Sequence, residues 1–175
     1  MSGRSVVHDT IVVERRLAGF DAATVFEAWA DPALRAQWDN PGEQFVVTEL
    51  TQDFRVGGRE ATRFGPAGDP RYWSEGTFLD IVANRRIVSA GTMHDRGLTT
   101  SVTLFTAEFI EEDRSTVLIL TDQSAFLDAT ETPSARRSGW GTIVERLARF
   151  LEDGARVGRS DGRSRRPEFR REEPE

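Results

Sequence analysis

Trp140, Ile143, Val144, Leu147, Phe150 and Leu151 step at i, i+3, i+4, i+7, i+10 and i+11, with Glu145, Arg146, Arg149 and Glu152 on the opposite side. This spacing predicts an amphipathic helix over residues 133–153, with Gly154 as its C-cap. A helix of roughly 20 residues spans about 30 Å. Between residue 44 and this helix the chain reads as short β-runs, so the helix is the only element long enough to cover the apolar face of a sheet.

The first run, residues 6–17, centres on Ile11, Val12 and Val13 and predicts a strand that Gly19 ends. Asp21 is a good N-cap for a helix over 22–30, where Val25, Phe26 and Trp29 recur at helical spacing. Asp31-Pro32 starts a second short helix with Leu34 and Trp38 on one face, and Asn40-Pro41-Gly42 ends it. Phe45, Val46, Val47 and Leu50 then begin a strand, and others are predicted over 59–64, 72–82, 86–94, 98–110 and 116–125. The gaps carry turn residues and are too short for a parallel return, so these strands should pair antiparallel. The expectation is an α+β fold in which a curved antiparallel sheet of about seven strands wraps around the C-terminal helix, with two short helices after strand 1. The concavity between sheet and helix is a natural site for a mostly apolar ligand, although a solidly packed core fits the same pattern. Residues 7–153 form the expected domain, residues 1–6 an N-terminal tail, and 154–175 a charged tail too poor in apolar groups to offset its ordering entropy.

Absences narrow the chemistry. All 23 basic residues are Arg, which removes lysine Schiff bases and the usual P-loop cation. Without Cys there is no thiol nucleophile, disulfide or cysteine-held metal. His8 and His94 are far apart, giving no histidine metal spacing and little support for a Ser-His-Asp triad. The net charge of −6 argues against nucleic acid. No apolar run approaches the roughly 18 residues of a membrane span, and the first ten residues lack the apolar stretch of a secretory signal. The expectation is a cytoplasmic monomer or homodimer, without metal or cofactor, whose partner is a hydrophobic small molecule.

Four segments occur in a recognisable order: FDAATVFEAWADPALRAQW at residues 20–38, FRVGGRE at 54–60, EGTFLDIVANRRIV at 75–88, and Gly139-Trp140. Together they resemble the Hsp90-ATPase-activator-homologue-like branch of the START-like (SRPBCC) superfamily, over about residues 7–152. The resemblance implies the helix-grip (START/Bet v 1-like) fold. It also implies a choice among a binding or self-resistance protein for a hydrophobic, polyketide-type compound, a cyclase or dehydratase acting in the same cavity, and an Hsp90 co-chaperone-like module. Relatives often carry bulky inward residues where this chain has Ser89 and Gly91, which would enlarge the cavity unless these positions merely accommodate large neighbours.

The rings Trp38, Phe54, Trp73, Phe78, Phe105, Phe126 and Trp140 either line a pocket or pack the core, and Trp140, at the head of the inward stripe with Ile143, Val144 and Leu147, is the strongest candidate for the wall. Met93 adapts to a ligand or fills a gap. For chemistry the candidates are His94 beside Asp95, Arg59 after Gly57-Gly58 as a clamp for a carboxylate or enol, and Asp80, which alternation puts on the face opposite Glu75. The alternative for each is a solvated surface group. Asp80 or Asp122, if inward, would pair with a buried Arg or act as a base.

Overall fold

The computed structural model describes residues 5–161. β1 (Val6–Ala18) leads into two helices, α1 (Ala22–Ala30) and α2 (Pro32–Arg35). Six strands follow, β2 (Val46–Gln52), β3 (Arg59–Gly65), β4 (Tyr72–Val82), β5 (Arg86–Asp95), β6 (Leu98–Glu112) and β7 (Ser115–Leu127), and then α3 (Pro133–Asp161). The strands make one open, curved sheet in the order β1-β7-β6-β5-β4-β3-β2, antiparallel throughout. The chain starts at one edge, crosses to the other through α1 and α2, and meanders back until β7 pairs with β1. This is the helix-grip architecture expected from the order of elements.

Local chemistry sets the element ends. The Asp21 carboxylate accepts from the Thr24 amide at 2.8 Å, and that of Asp31 from Ala33 and Leu34 at 2.7 and 3.3 Å, so each short helix has its first free amides satisfied. Arg96-Gly97 closes β5 onto β6 as a two-residue hairpin with φ of 50° and 85°, the conformation that matches the twist of paired strands. The expected cap at Gly154 does not form, because α3 continues through it to Asp161. A single helical Gly costs only about 1 kcal/mol, and residues 155–161 contain no Pro to stop the helix. The predicted charged tail is thus helical over its first part, and residues 162–175 lie outside the described residues.

The inward face of α3 follows the helical spacing of its apolar residues. Val144, Leu147, Ala148 and Leu151 join Leu17, Val25, Trp29, Phe109, Leu118 and Leu120 in one buried cluster. Among the described residues no helix is long and apolar enough to cross a membrane.

Gly91 of β5 faces Gly76 of β4, and a Cβ on Gly91 would lie 2.9 Å from Gly76 Cα and closer still to the Glu75 carbonyl oxygen. Gly91→Ala should therefore cost about 1–3 kcal/mol in urea denaturation through overpacking. Unchanged stability would mean that the two strands separate there freely.

Candidate functional site

A cavity of about 580 Å³ lies between the first turns of α3, strands β3, β4 and β5, and the loop that precedes β2. Its apolar wall is ring-rich. Phe45, Phe64 and Tyr72 meet with centroids 5.2 to 5.9 Å apart, and Met93, Trp140 and Ile143 complete the lining. Trp140 is held flat against the core, stacked on Phe105 at 4.8 Å, while its indole N–H donates to Asp122 at 2.8 Å. Two other depressions lie on the outer face of the sheet, one around Val102, Leu104 and Gln123, the other around Arg63, Trp73 and His94. Both are more open to solvent and less apolar in lining than the inner cavity.

The polar end of the cavity is built on Arg136, one turn ahead of Trp140. Its Nε donates to Glu131 Oε1 at 2.6 Å, one terminal nitrogen to Asp122 Oδ2 at 3.0 Å and Thr103 Oγ1 at 3.3 Å, and the other to Ser101 Oγ at 2.6 Å and Glu131 Oε2 at 2.7 Å. A guanidinium has five N–H donors, and all five are used. Ser124 gives its proton to Asp122, which leaves Thr103 to donate to Ser124 at 2.6 Å and to accept from Arg136. Burial opposes the charge on Arg136, but the hydrogen bonds and charges of Glu131 and Asp122 outweigh it and raise the pKa above the ordinary arginine value. Arg35 repeats the device at the other end. Its Nε bonds Asp39, which lines the cavity, at 2.8 Å, and Nη1 bonds Glu60 at 2.8 Å and Gln52 at 2.6 Å. Asp95, also on the wall, receives two bonds from Arg71 at 2.7 and 2.6 Å, which hold its pKa below the usual carboxylate range despite desolvation.

The candidates drawn from sequence separate into three places. Trp140, Ile143 and Met93 line the cavity. Trp38, Phe78, Phe105, Phe126, Val144 and Leu147 are buried in the core, with Phe54 packed against it, and the Trp38 indole is satisfied by the Ala28 carbonyl at 3.0 Å. Ser89 is buried opposite Phe78 and Phe105, and Gly91 is small because β4 passes close to it; neither lines the cavity. The third group is outside. Trp73 lies under the Arg63 guanidinium at 4.7 Å, and His94 sits between Thr92 and Thr99 at 2.9 and 3.3 Å. Arg59 is exposed and pairs with Glu75 at 3.3 Å, while Asp80 pairs with Arg86 at 2.6 Å. Asp80 and Glu75 share the outer face because a bulge between Phe78 and Asp80 breaks the alternation. Asp122 is the inward acid, 1% exposed and paired with Arg136.

Arg136 and Glu131 were missed, although Arg136 continues the inward stripe of α3 one step back from Trp140, at i−4. Asp122 likewise continues the inward alternation of Leu118 and Leu120 on β7. Opposite charges at inward positions of two packed elements were the available signal. Glu131 stands in the loop before α3 and had none.

A curved sheet gripping one helix over a ring-lined hollow defines a helix-grip protein. Residues 20–152 match the family described as activator of Hsp90 ATPase homolog 1-like protein, and the chain belongs to that family. Its fold is shared by an uncharacterized protein from Rhizobium leguminosarum, 30% identical over 87% of this chain and 99% of that one, with a TM-score of 0.76. The protein Mll3558 from Rhizobium loti is 34% identical over 84% of this chain and 99% of that one, also with a TM-score of 0.76. DynU16, from the dynemicin biosynthetic locus, is 20% identical over 83% of this chain and 48% of its own, with a TM-score of 0.63, a likeness of fold alone. No protein with a curated description matches.

Arg136→Met leaves Asp122 and Glu131 without their cation and should cost about 3–5 kcal/mol in urea denaturation, with much of the loss restored by adding Asp122→Asn and Glu131→Gln. Asp95 stabilises the fold at pH above its unfolded pKa of about 3.9, and that contribution fades as pH falls through its lower folded value. Stability measured from about pH 5 down to 2 should accordingly fall less steeply in Asp95→Asn than in the parent.

Proposed function

We propose that the protein binds and sequesters a hydrophobic, ring-bearing small molecule between α3 and the sheet. The observation that carries this is the hollow of about 580 Å³ walled by Phe45, Phe64, Tyr72, Met93, Trp140 and Ile143. Its size falls within the roughly 300–1,000 Å³ range of drug-sized ligand sites, and its rings offer stacking and edge contacts to a flat guest. Holding is favoured over turnover because Asp39, Asp95 and Glu131 on the wall are each engaged by an arginine, and His94, Asp80 and Arg59 face away from the hollow. A polyketide-type natural product fits such walls, and a carrier or self-resistance role follows from storing it out of water. The place of DynU16 in a biosynthetic locus agrees with that guest, though it shares only the fold.

Gly139 gives the direct test. It lines the cavity, and a Cβ there would meet Pro41 only at an ordinary 3.8 Å. Gly139→Phe should keep the circular-dichroism spectrum while filling the hollow. The neutral probe N-phenyl-1-naphthylamine should brighten and raise the Tm of the parent protein but do neither with the variant. Equal brightening in both would move the binding site elsewhere and refute the proposal.

A further inference from the structure

The charges around the cavity point to the kind of guest it takes. Arg136 is the one cation on the wall among the described residues, and its five N–H donors are spent on Glu131, Asp122, Ser101 and Thr103. An anionic head group arriving there finds no free N–H on Arg136. Arg35, which bonds Asp39 and Glu60, and Arg71, which spends two N–H groups on Asp95, do not line the cavity. Three guanidiniums thus face five carboxylates, Asp39, Glu60, Asp95, Asp122 and Glu131, which leaves an excess of negative charge.

Acceptor capacity, by contrast, remains. A carboxylate oxygen offers two lone pairs. Glu131 Oε1 receives only Arg136 Nε, and each oxygen of Asp95 receives a single bond from Arg71. Both acids reach the cavity wall. The same wall carries Phe45, Phe64, Tyr72 and Trp140, aromatic rings of the kind that attract a cation through their quadrupoles. Acceptor-rich and ring-walled, with its one lining cation spent, the site suits a positive head group on an apolar body.

We infer that the guest is an organic cation, a protonated amine carried on an aromatic or polycyclic body, and that carboxylate and phosphate ligands are rejected. This rests on the cavity being the binding site, as proposed above. Three probes sharing one ring system separate the two ideas: 1-naphthylmethylammonium, 1-naphthalenemethanol and 1-naphthoate, titrated by calorimetry at pH 7 and low salt into the full chain, with Gly139→Phe as the control for site. The ammonium should bind at least tenfold tighter than the carboxylate, equivalent to about 1.4 kcal/mol, with the alcohol between them. Salt should weaken the ammonium and leave the alcohol unchanged. Glu131→Gln should reduce ammonium affinity while sparing the alcohol. Binding of the alcohol with the ammonium and carboxylate equal, or with the carboxylate tighter, overturns the charge preference while the cavity stands. If none of the three binds, or if Gly139→Phe binds them all as well as the parent, the cavity itself is refuted and this inference with it.

Discussion

The saturated guanidinium of Arg136 fixes how α3 meets the sheet. A buried charge is tolerated only when every donor has a partner, and here the partners come from β6, β7 and the loop before the helix. Meeting all five at once leaves little freedom in the position of the first turns of α3. Asp122 couples this requirement to the wall, because its second role is to accept the Trp140 indole, which stacks on Phe105 and through it on Trp29. The ring that faces the cavity is thereby anchored from behind by both polar and apolar contacts.

The grip has two unlike ends. Toward its C-terminal half α3 is packed dry, with Val144, Leu147, Ala148 and Leu151 against the sheet and α1. Toward its start the small and polar residues Ala135, Ser138 and Gly139 face the hollow. Dry packing at one end holds the helix in place, so the other end need not close on itself to be stable. A void in a protein ordinarily costs dispersion energy, and the cost here falls where a guest would recover it.

The architecture was legible because its signals are periodic: the i, i+3, i+4 stripe of α3, the alternation along β6 and β7, and the capping acids Asp21 and Asp31. The site was less so. Strand alternation assigns faces only while the register holds, and the bulge at Phe78–Asp80 turned Asp80 outward together with Glu75. Trp73 and His94 are cross-strand partners on the outer face, which composition and spacing do not distinguish from the inner. The rings Phe45, Phe64 and Tyr72 were passed over because they come from a loop and from the strands near the β2 edge, far in sequence from α3, and only the curl of the sheet brings them opposite Trp140. Sequence spacing could rank Trp140 first among wall residues. It could not foresee that the charged groups beside it would consume one another.

The proposed binding depends on the hollow being the place where a guest enters. An amide and indole nuclear magnetic resonance titration of the full chain with N-phenyl-1-naphthylamine would locate the guest residue by residue. The largest shifts should fall on the Trp140 indole and on the amides of Phe45, Phe64, Tyr72, Met93 and Ile143. Shifts concentrated instead on Val102, Leu104 and Gln123, or on Arg63, Trp73 and His94, would place the guest on the outer face and contradict it.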